Sequence, residues 1–311
     1  MINMKKLRLG IIGYGFMGQW HNNHAGTLEE VEIVAICDTD SEKRAEAPEN
    51  VKLYTDYKAL LADSDVEWVM ISVPNHLHHD IAIDAAKAKK NIIVEKPCAL
   101  NVQEFDEMYQ AAKDNGVLFT VDQNRRWDRD YCTVKKVLEQ NSIGKVFMVK
   151  SSHYGVFGRM HDWHEYPECG GGMLYDWGVH LIDQMLDLIP GKITQISADM
   201  KCAVNKSVDD YFRILLYFDN GLAAEIELGT FLLKKLPRWC VAGDTGTLVV
   251  ENIKADEGAI YRAKEFREAL PKTVKNIDAG PTRTFSVKAE DVVSTEPLPE
   301  IHRKHNDWND F

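Results

Sequence analysis

The stretch "GIIGYGFMGQW", Gly10 to Trp20, decides the fold of this chain. Gly13, Gly15 and Gly18 make a G-x-G-x-x-G pattern, which alone describes either a phosphate-holding turn or a glycine-rich link between a strand and a helix, so the surroundings decide. The apolar run "KLRLGIIG" ends at the motif, Phe16 to about Leu28 reads as helix, and "VEIVAICD" returns as a strand ending in Asp38, twenty positions beyond Gly18. That completes a βαβ unit. Gly13 permits the tight turn, Gly15 lets the backbone approach a pyrophosphate, and Gly18 lets the helix pack closely on the strand. Phe16 and Met17 open the helix whose N-terminus would face the phosphates. Asp38 is placed to accept hydrogen bonds from the adenosine ribose, and its charge repels a 2′-phosphate; no Arg or Lys follows until Lys43. NAD is therefore expected rather than NADP.

Outward from the motif, β-branched runs alternate with helix-periodic polar segments from Lys6 to about Gln123: "VEWVMISVP", "NIIVEKP" and "VLFTVDQN" continue the series. This predicts a doubly wound parallel sheet, and the continuous apolar runs are those of strands covered on both faces. Ligands collect at the carboxyl ends of such strands. "SVPNHLHH" after the third apolar run therefore offers Pro74, Asn75 and His78, and "EKP" after the fourth offers Glu95 and Lys96, as cofactor contacts; Asn75 and His76 read equally well as turn and cap residues. His76, His78 and His79 have the composition of a metal cluster, but 78 and 79 face different sides of a helix, so no metal is assigned.

Past Gln123 the pattern changes. "GGGMLYDWGVHLIDQMLDLI" repeats its apolar residues at helical spacing, with three glycines before it and Pro190-Gly191 after. On such a helix Asp176 and His180, four apart, share one face and form a carboxylate–imidazole acid/base pair; a buried histidine satisfied by its neighbour is the alternative. After Ile193 the alternating runs and the Asp219-Asn220-Gly221 turn predict an antiparallel sheet. The expected division is a dinucleotide-binding domain over 1–123 and an α+β substrate-binding and oligomerisation domain over 124–311. The charged, Pro-containing stretch between about Ala263 and Glu300 reads as extended hairpins or an arm.

Composition narrows the partners. With 311 residues, 45% of them hydrophobic, the chain can bury a large core, and its net charge of −11 lacks the basic field of a nucleic-acid or anionic-membrane binder. Six cysteines without C-x-x-C spacing fit reduced thiols, and no apolar run reaches transmembrane length. A cytoplasmic protein acting on small molecules and associating with its own copies, as a dimer or tetramer, is expected.

The nucleotide motif, "EKP" and "GGGMLYDWGVHLID" together resemble the Gfo/Idh/MocA oxidoreductases, and the likeness covers almost the whole chain. The resemblance implies an N-terminal Rossmann domain, a second domain with an open-faced, mostly antiparallel sheet, and catalytic positions at Lys96, Asp176 and His180. It is similar to the scyllo-inositol and sugar dehydrogenase branch, which implies hydride transfer between a nicotinamide and a secondary alcohol of a sugar or cyclic polyol. The Lys96-Pro97 peptide is implied to be cis. Substrate contacts are expected from Lys96, Asn124, Arg125, Tyr154, Trp163, His164, Asp176 and His180; Arg125 and Arg126 serve equally as ties between domains. A metal at His161, His164, Glu165 and His180 is not required by this chemistry. The chain departs from relatives at "CDTD", which lacks their Ser and Arg pattern, at Trp163-His164 where many carry Trp-Arg, and at its end, "HNDWNDF", where relatives continue. A non-catalytic NAD-binding regulator and an NAD-dependent glycoside hydrolase are the rival readings of the same fold.

Overall fold

The computed structural model describes residues 5–301 except 26, 157, 159, 235 and 265–288. The chain groups into two compact units. The first comprises Met1–Gln123, Met160–Val179 and Asn205–Asp209; the second comprises Asn124–Arg159, His180–Val204 and Asp210–Phe311. A single cut at Gln123 does not reproduce this grouping, because two later segments belong with the first unit.

The first unit carries a six-stranded sheet of β1 (Leu7–Ile12), β2 (Val31–Cys37), β3 (Lys52–Tyr54), β4 (Trp68–Ile71), β5 (Asn91–Val94) and β6 (Phe119–Val121). Its order is β3-β2-β1-β4-β5-β6, with every pair parallel. This is the doubly wound dinucleotide arrangement, whose order reverses between β1 and β4. Successive strand residues feed two separate cores. Val69, Ile71, Ile92 and Val94 pack in one cluster with Leu60, Ala82 and Met108, while Leu9, Ile11, Ile36 and Met70 belong to the other. Both faces are covered, which is why the strands read as unbroken apolar runs. Fully buried Ile11, Ile36, Leu60, Ile71 and Ile92 each contribute about 1.5–3 kcal/mol.

The connecting helices are α1 (Phe16–Ala25), α2 (Ser41–Ala45), α3 (Tyr57–Ala62), α4 (His78–Lys87) and α5 (Val102–Asn115). Their ends follow local chemistry. The Asn101 side chain accepts from the Glu104 N–H at the start of α5, Glu104 returns a bond to the Leu100 N–H, and Gly116 closes the helix at φ 67°. The strand preceding "EKP" is the fifth and that preceding "SVPN" the fourth, because β3 adds a short edge strand that no apolar run announces.

The second unit carries an eight-stranded sheet of β7 (Val146–Tyr154), β8 (Ile193–Lys201), β9 (Tyr211–Phe218), β10 (Ala223–Gly229), β11 (Trp239–Gly243), β12 (Gly246–Val250), β13 (Gly258–Ala263) and β14 (Val293–Glu296). Its order is β14-β13-β12-β11-β7-β10-β9-β8. Only the β7–β10 pair is parallel, so the sheet is mostly antiparallel as expected. The β9–β10 hairpin turns at Asp219-Asn220-Gly221, with Gly221 at φ 83° and the Phe218 N–H donating to the Leu222 carbonyl. Along β9 buried residues alternate with exposed or half-buried ones, the pattern of a sheet with one open face. Two longer helices, α6 (Arg129–Glu139) and α7 (Val179–Leu188), accompany it. Much of the stretch expected as an arm, 265–288, and all of the "HNDWNDF" end lie outside the described residues; the flanks of the former pair as β13 and β14.

Candidate active site

The glycine turn has the geometry its spacing implies. Gly13 sits at φ +90°, and a Cβ there would lie 2.5 Å from the Ser72 carbonyl oxygen; a Cβ on Gly18 would lie 2.0 Å from the Gly13 carbonyl oxygen. Neither position accepts a side chain. Around the Cβ direction of Gly15, by contrast, nothing lies within 4 Å, so the space that the turn keeps clear opens there, beside the first residues of α1. Phe16 is exposed and Gly18 buried.

Asp38 closes the turn from the end of β2. Its carboxylate accepts the Tyr14 N–H at 2.7 Å and the Asp40 N–H at 2.9 Å, one on each oxygen. The Arg44 guanidinium donates to the Asp38 backbone carbonyl at 2.7 Å. A basic group thus lies nearer this strand end than the residue order alone conveyed.

The loop after β4 is tied rather than open. Asn75, 4% exposed, donates its amide to the Gly170 carbonyl at 2.9 Å, a link between the first strand-helix crossover region and the glycine run before Asp176. Its side chain is neither a helix cap nor a solvent-facing turn group. His78 corrects the expected list of cofactor contacts. Its ring has no exposure, and both nitrogens lie 2.9 Å from backbone carbonyls, those of Pro97 and Val73. Its single ring N–H in the neutral form donates to one of these two carbonyls, beside the Lys96-Pro97 turn. Burial pushes its pKa below the usual histidine value. His79 points the other way, toward Asp80 and Glu107.

At the end of β5, Glu95 is buried between His21 and its own neighbour. Its Oε1 lies 2.7 Å from His21 Nε2, and its Oε2 accepts the Lys96 N–H at 3.1 Å. The Lys96-Pro97 peptide is cis, as the resemblance implies. The Lys96 ammonium donates to Asp176 Oδ1 at 2.7 Å and to the Asp176 carbonyl at 2.9 Å. The two side chains are 18% and 24% exposed, enough to meet a ligand while excluding most water.

Asp176 itself lies in a π-helical turn, Leu174–Gly178, in which the Val179 N–H bonds the Leu174 carbonyl five residues back. The pairing of Asp176 with His180 by four-residue spacing assumed α geometry at this point. In a π-turn the residue stacked along the axis is five away, and such turns recur at functional sites. Lys96 is one partner of Asp176. His164 joins this neighbourhood: burial pushes its pKa down, the Asp176 carboxylate acts against that shift, and the Lys96 ammonium acts with it. Its ring stacks on Trp163 with centroids 3.8 Å apart. Tyr175 donates its hydroxyl to the Leu100 carbonyl.

In the second unit, His180 is 4% exposed near the start of α7. Asn124 and Arg125 form a single 3-10 turn, with Arg125 Nη1 3.4 Å from Asp128. Arg126 makes a two-pronged bond to Asp183 on α7 at 2.7 and 2.6 Å, both residues belonging to the second unit. Tyr154, expected to meet substrate, is 6% exposed and donates its hydroxyl to Glu227 at 2.8 Å; burial and that carboxylate raise its pKa to about 12. Its proton is given to Glu227, and its oxygen can still accept. Two residues that the motifs did not single out are His21, three positions after Gly18 and so on the sheet-facing side of α1, and Arg238, buried against Asp130.

Known proteins resemble this chain in sequence and fold. The family model for the NAD-binding Rossmann fold of the Gfo/Idh/MocA oxidoreductases matches residues 7–123, and that for the GFO/IDH/MocA C-terminal domain matches residues 131–249. The chain belongs to this oxidoreductase family. It is 32% identical over 232 residues to an uncharacterized oxidoreductase of Schizosaccharomyces pombe, covering 72% of this chain but only 63% of that protein's length. It is 28% identical over 263 residues to the scyllo-inositol 2-dehydrogenase (NADP+) IolW of Bacillus subtilis, covering 83% of this chain and 73% of the other. Among solved structures, an NAD-binding protein from Listeria innocua superposes with a TM-score of 0.85 at 36% identity, over 98% of this chain and 85% of that one. Among the described residues no helix is long and apolar enough to cross a membrane.

Proposed function

We propose that the protein is a nicotinamide-dependent dehydrogenase that moves a hydride between the cofactor and a secondary alcohol of a sugar or cyclic polyol. In this reading residues 1–123 bind the dinucleotide, 124–311 bind substrate, and the protein is a cytoplasmic homo-oligomer. The observation that carries it is the Lys96 ammonium at the carboxyl end of β5, held by Asp176 within a dinucleotide fold. Support from the comparisons comes from the inositol dehydrogenase relative.

The residues present suit a dinucleotide. The turn is cleared at Gly15, walled by Gly13 and Gly18, and followed by the α1 N-terminus with Phe16 and Met17, which favours phosphate oxygens. The Asp38 carboxylate takes the ribose side and, by charge, favours NAD over NADP. Pro74, Asn75 and Glu95 shape the strand ends that face the cofactor. Bound nicotinamide supplies a two-electron hydride acceptor or donor.

The chain supplies the proton chemistry. Lys96 hydrogen-bonds the reacting oxygen, and its positive charge stabilises the alkoxide as it forms. Asp176 keeps that ammonium aimed and offsets the cost of holding it away from water. His180 takes the hydroxyl proton, and His164, Trp163, Asn124 and Arg125 recognise the remaining hydroxyls. His164, with its pKa pushed down, presents a neutral ring suited to such hydrogen bonding.

The deciding experiment screens inositols, other polyols and aldoses with NAD and NADP for absorbance of the reduced cofactor. Turnover with at least one cyclic polyol or sugar is expected. Tight cofactor binding with no turnover on any of them points to a nucleotide-sensing regulator, and release of free sugar without net reduced cofactor points to a glycoside hydrolase.

A further inference from the structure

Among the described residues one cluster joins Glu95, from the end of β5, to groups given no chemistry above: buried His21 from α1 and half-buried Asp122 just past β6, whose ligand atoms lie within 4.8 Å of one another. Such a trio has the composition of a metal site. The distances are those of a hydrogen bond. Two ligands on one tetrahedral zinc stand about 3.3 Å apart, because bonds of about 2.0–2.2 Å enclose a tetrahedral angle. His21 Nε2 and Glu95 Oε1 are 2.7 Å apart, the separation of two atoms sharing a proton, while Asp122 Oδ2 is 3.7 Å from the same nitrogen.

A carboxylate only accepts, so His21 Nε2–H donates to Glu95. The Glu95 side chain is 6% exposed and that of His21 is 11% exposed, so this bond is sheltered from solvent and its loss would leave a buried carboxyl group short of a partner. The other Glu95 oxygen accepts the backbone N–H of Lys96. One buried bond therefore connects the helix that starts at the glycine turn to the peptide that aims the lysine.

We infer that His21 is a positioning residue: through Glu95 it fixes the backbone of Lys96, and so couples the dinucleotide-binding end of α1 to the aim of the Lys96 ammonium. The inference rests on the dehydrogenase reading for its catalytic consequence but not for its structural one. A helix anchored at its phosphate end and pinned at His21 leaves the end of β5 little freedom, and the bond from Lys96 to Asp176 completes the line His21, Glu95, Lys96, Asp176. Displacements of about 1 Å at a reacting group can cost on the order of a hundredfold in rate.

The test compares full-length wild type, His21→Ala and His21→Gln. The glutamine amide can place a donor nitrogen near the position of His21 Nε2. Three quantities are read: NADH affinity by fluorescence, kcat and KM with NAD and scyllo-inositol as the probe substrate, and deuterium exchange at the Lys96 amide. His21→Ala is expected to lower kcat at least about tenfold, to keep KM and NADH affinity within about threefold, and to speed exchange at Lys96; His21→Gln is expected to recover most of both losses. Wild-type kcat and exchange in His21→Ala overturn the inference. So does a parallel loss of NADH binding and turnover that His21→Gln does not relieve, which is the signature of a general scaffold residue. Wild-type activity that a chelator abolishes and zinc or manganese restores, with the effect gone in His21→Gln, overturns it in favour of a metal. If wild type turns over no polyol or sugar, the dehydrogenase reading fails, and the exchange comparison alone judges the coupling.

Discussion

Lys96 and Asp176, eighty residues apart in the chain, meet through two hydrogen bonds: the ammonium reaches both a carboxylate oxygen and the backbone carbonyl of the same aspartate. A lysine held at two points has its direction set before substrate arrives. Lys96→Met keeps the side-chain length and removes the charge, and it is expected to lower kcat/KM by about 10²–10⁴-fold while NADH affinity stays within a few-fold. Steady-state rates beside a fluorescence titration check this; near-native turnover removes Lys96 from the chemistry.

The glycines of the turn separate folding from binding. Gly18→Ala drives a Cβ into the Gly13 carbonyl oxygen, a backbone atom that cannot step aside, and should cost about 1–3 kcal/mol with a melting point several degrees lower. Gly15→Ala meets nothing within 4 Å, so it should melt like wild type yet bind NADH at least tenfold more weakly. Calorimetry and titration of the two variants give opposite patterns if Gly15 lines the phosphate path.

Cofactor choice should turn on Asp38. Asp38→Ala removes the acceptor from the Tyr14 and Asp40 N–H groups, with a stability loss of about 1 kcal/mol, and removes the charge that opposes a 2′-phosphate. With Arg44 close by, the ratio of kcat/KM for NAD over NADP is expected to fall at least tenfold. An unchanged ratio in the purified variant refutes the ribose contact.

Acid should loosen the first unit through His78. Its pKa is depressed in the folded protein below the ordinary 6.5, chiefly by burial. Between that depressed value and about 6.5 the unfolded chain binds the proton and the folded one does not, so the contribution is full above pH 6.5 and is lost as pH falls. Because His164 shifts the same way, the informative quantity is the difference between wild type and His78→Gln in melting temperature from pH 7.5 to 5.5. Wild type should lose stability more steeply; equal slopes contradict the assignment.

A buried charge pair organises the second unit. Arg238 Nε lies 2.9 Å from Asp130 Oδ2, with side-chain exposures of 4% and 0%, and Trp239 donates to the same oxygen at 2.8 Å. Arg238→Met alone strands the Asp130 charge and should cost about 3–5 kcal/mol in denaturant unfolding, whereas the double change with Asp130→Leu should recover a large part. Additive losses would show that the two charges do not act as a pair.

What could be read from residues alone follows a physical line. Strands buried on both faces, such as β2 and β4, announce themselves as apolar runs, and the glycine spacing is local, so the nucleotide fold and its turn were legible. Edge strand β3 carries Lys52 and two partly exposed neighbours and has no such run. The π-turn at Leu174–Gly178 was not legible, because the choice between four- and five-residue hydrogen bonds depends on packing that the periodicity does not carry. Lys96 with Asp176, and His21 with Glu95, are contacts across 80 and 74 positions, which no spacing rule reaches. The bonds of Tyr154 to Glu227 and of His78 to the Pro97 carbonyl, across 73 and 19 positions, lie equally beyond such rules.

The discontinuous make-up of the first unit sets a schedule for synthesis. Residues 160–179 and 205–209 belong to it, so it cannot be completed until position 209 has left the ribosome, well after its own parallel sheet has emerged. At about 5–20 residues per second the nucleotide domain, whose sheet and core clusters end by Val121, waits several seconds for these two segments. The parallel pairing of β7 with β10 imposes a similar delay on the other unit, since two strands separated by the whole of α7, β8 and β9 must find each other. In a nascent chain the sheet and cores of the first unit therefore precede by several seconds the segment that carries Asp176, the partner of Lys96.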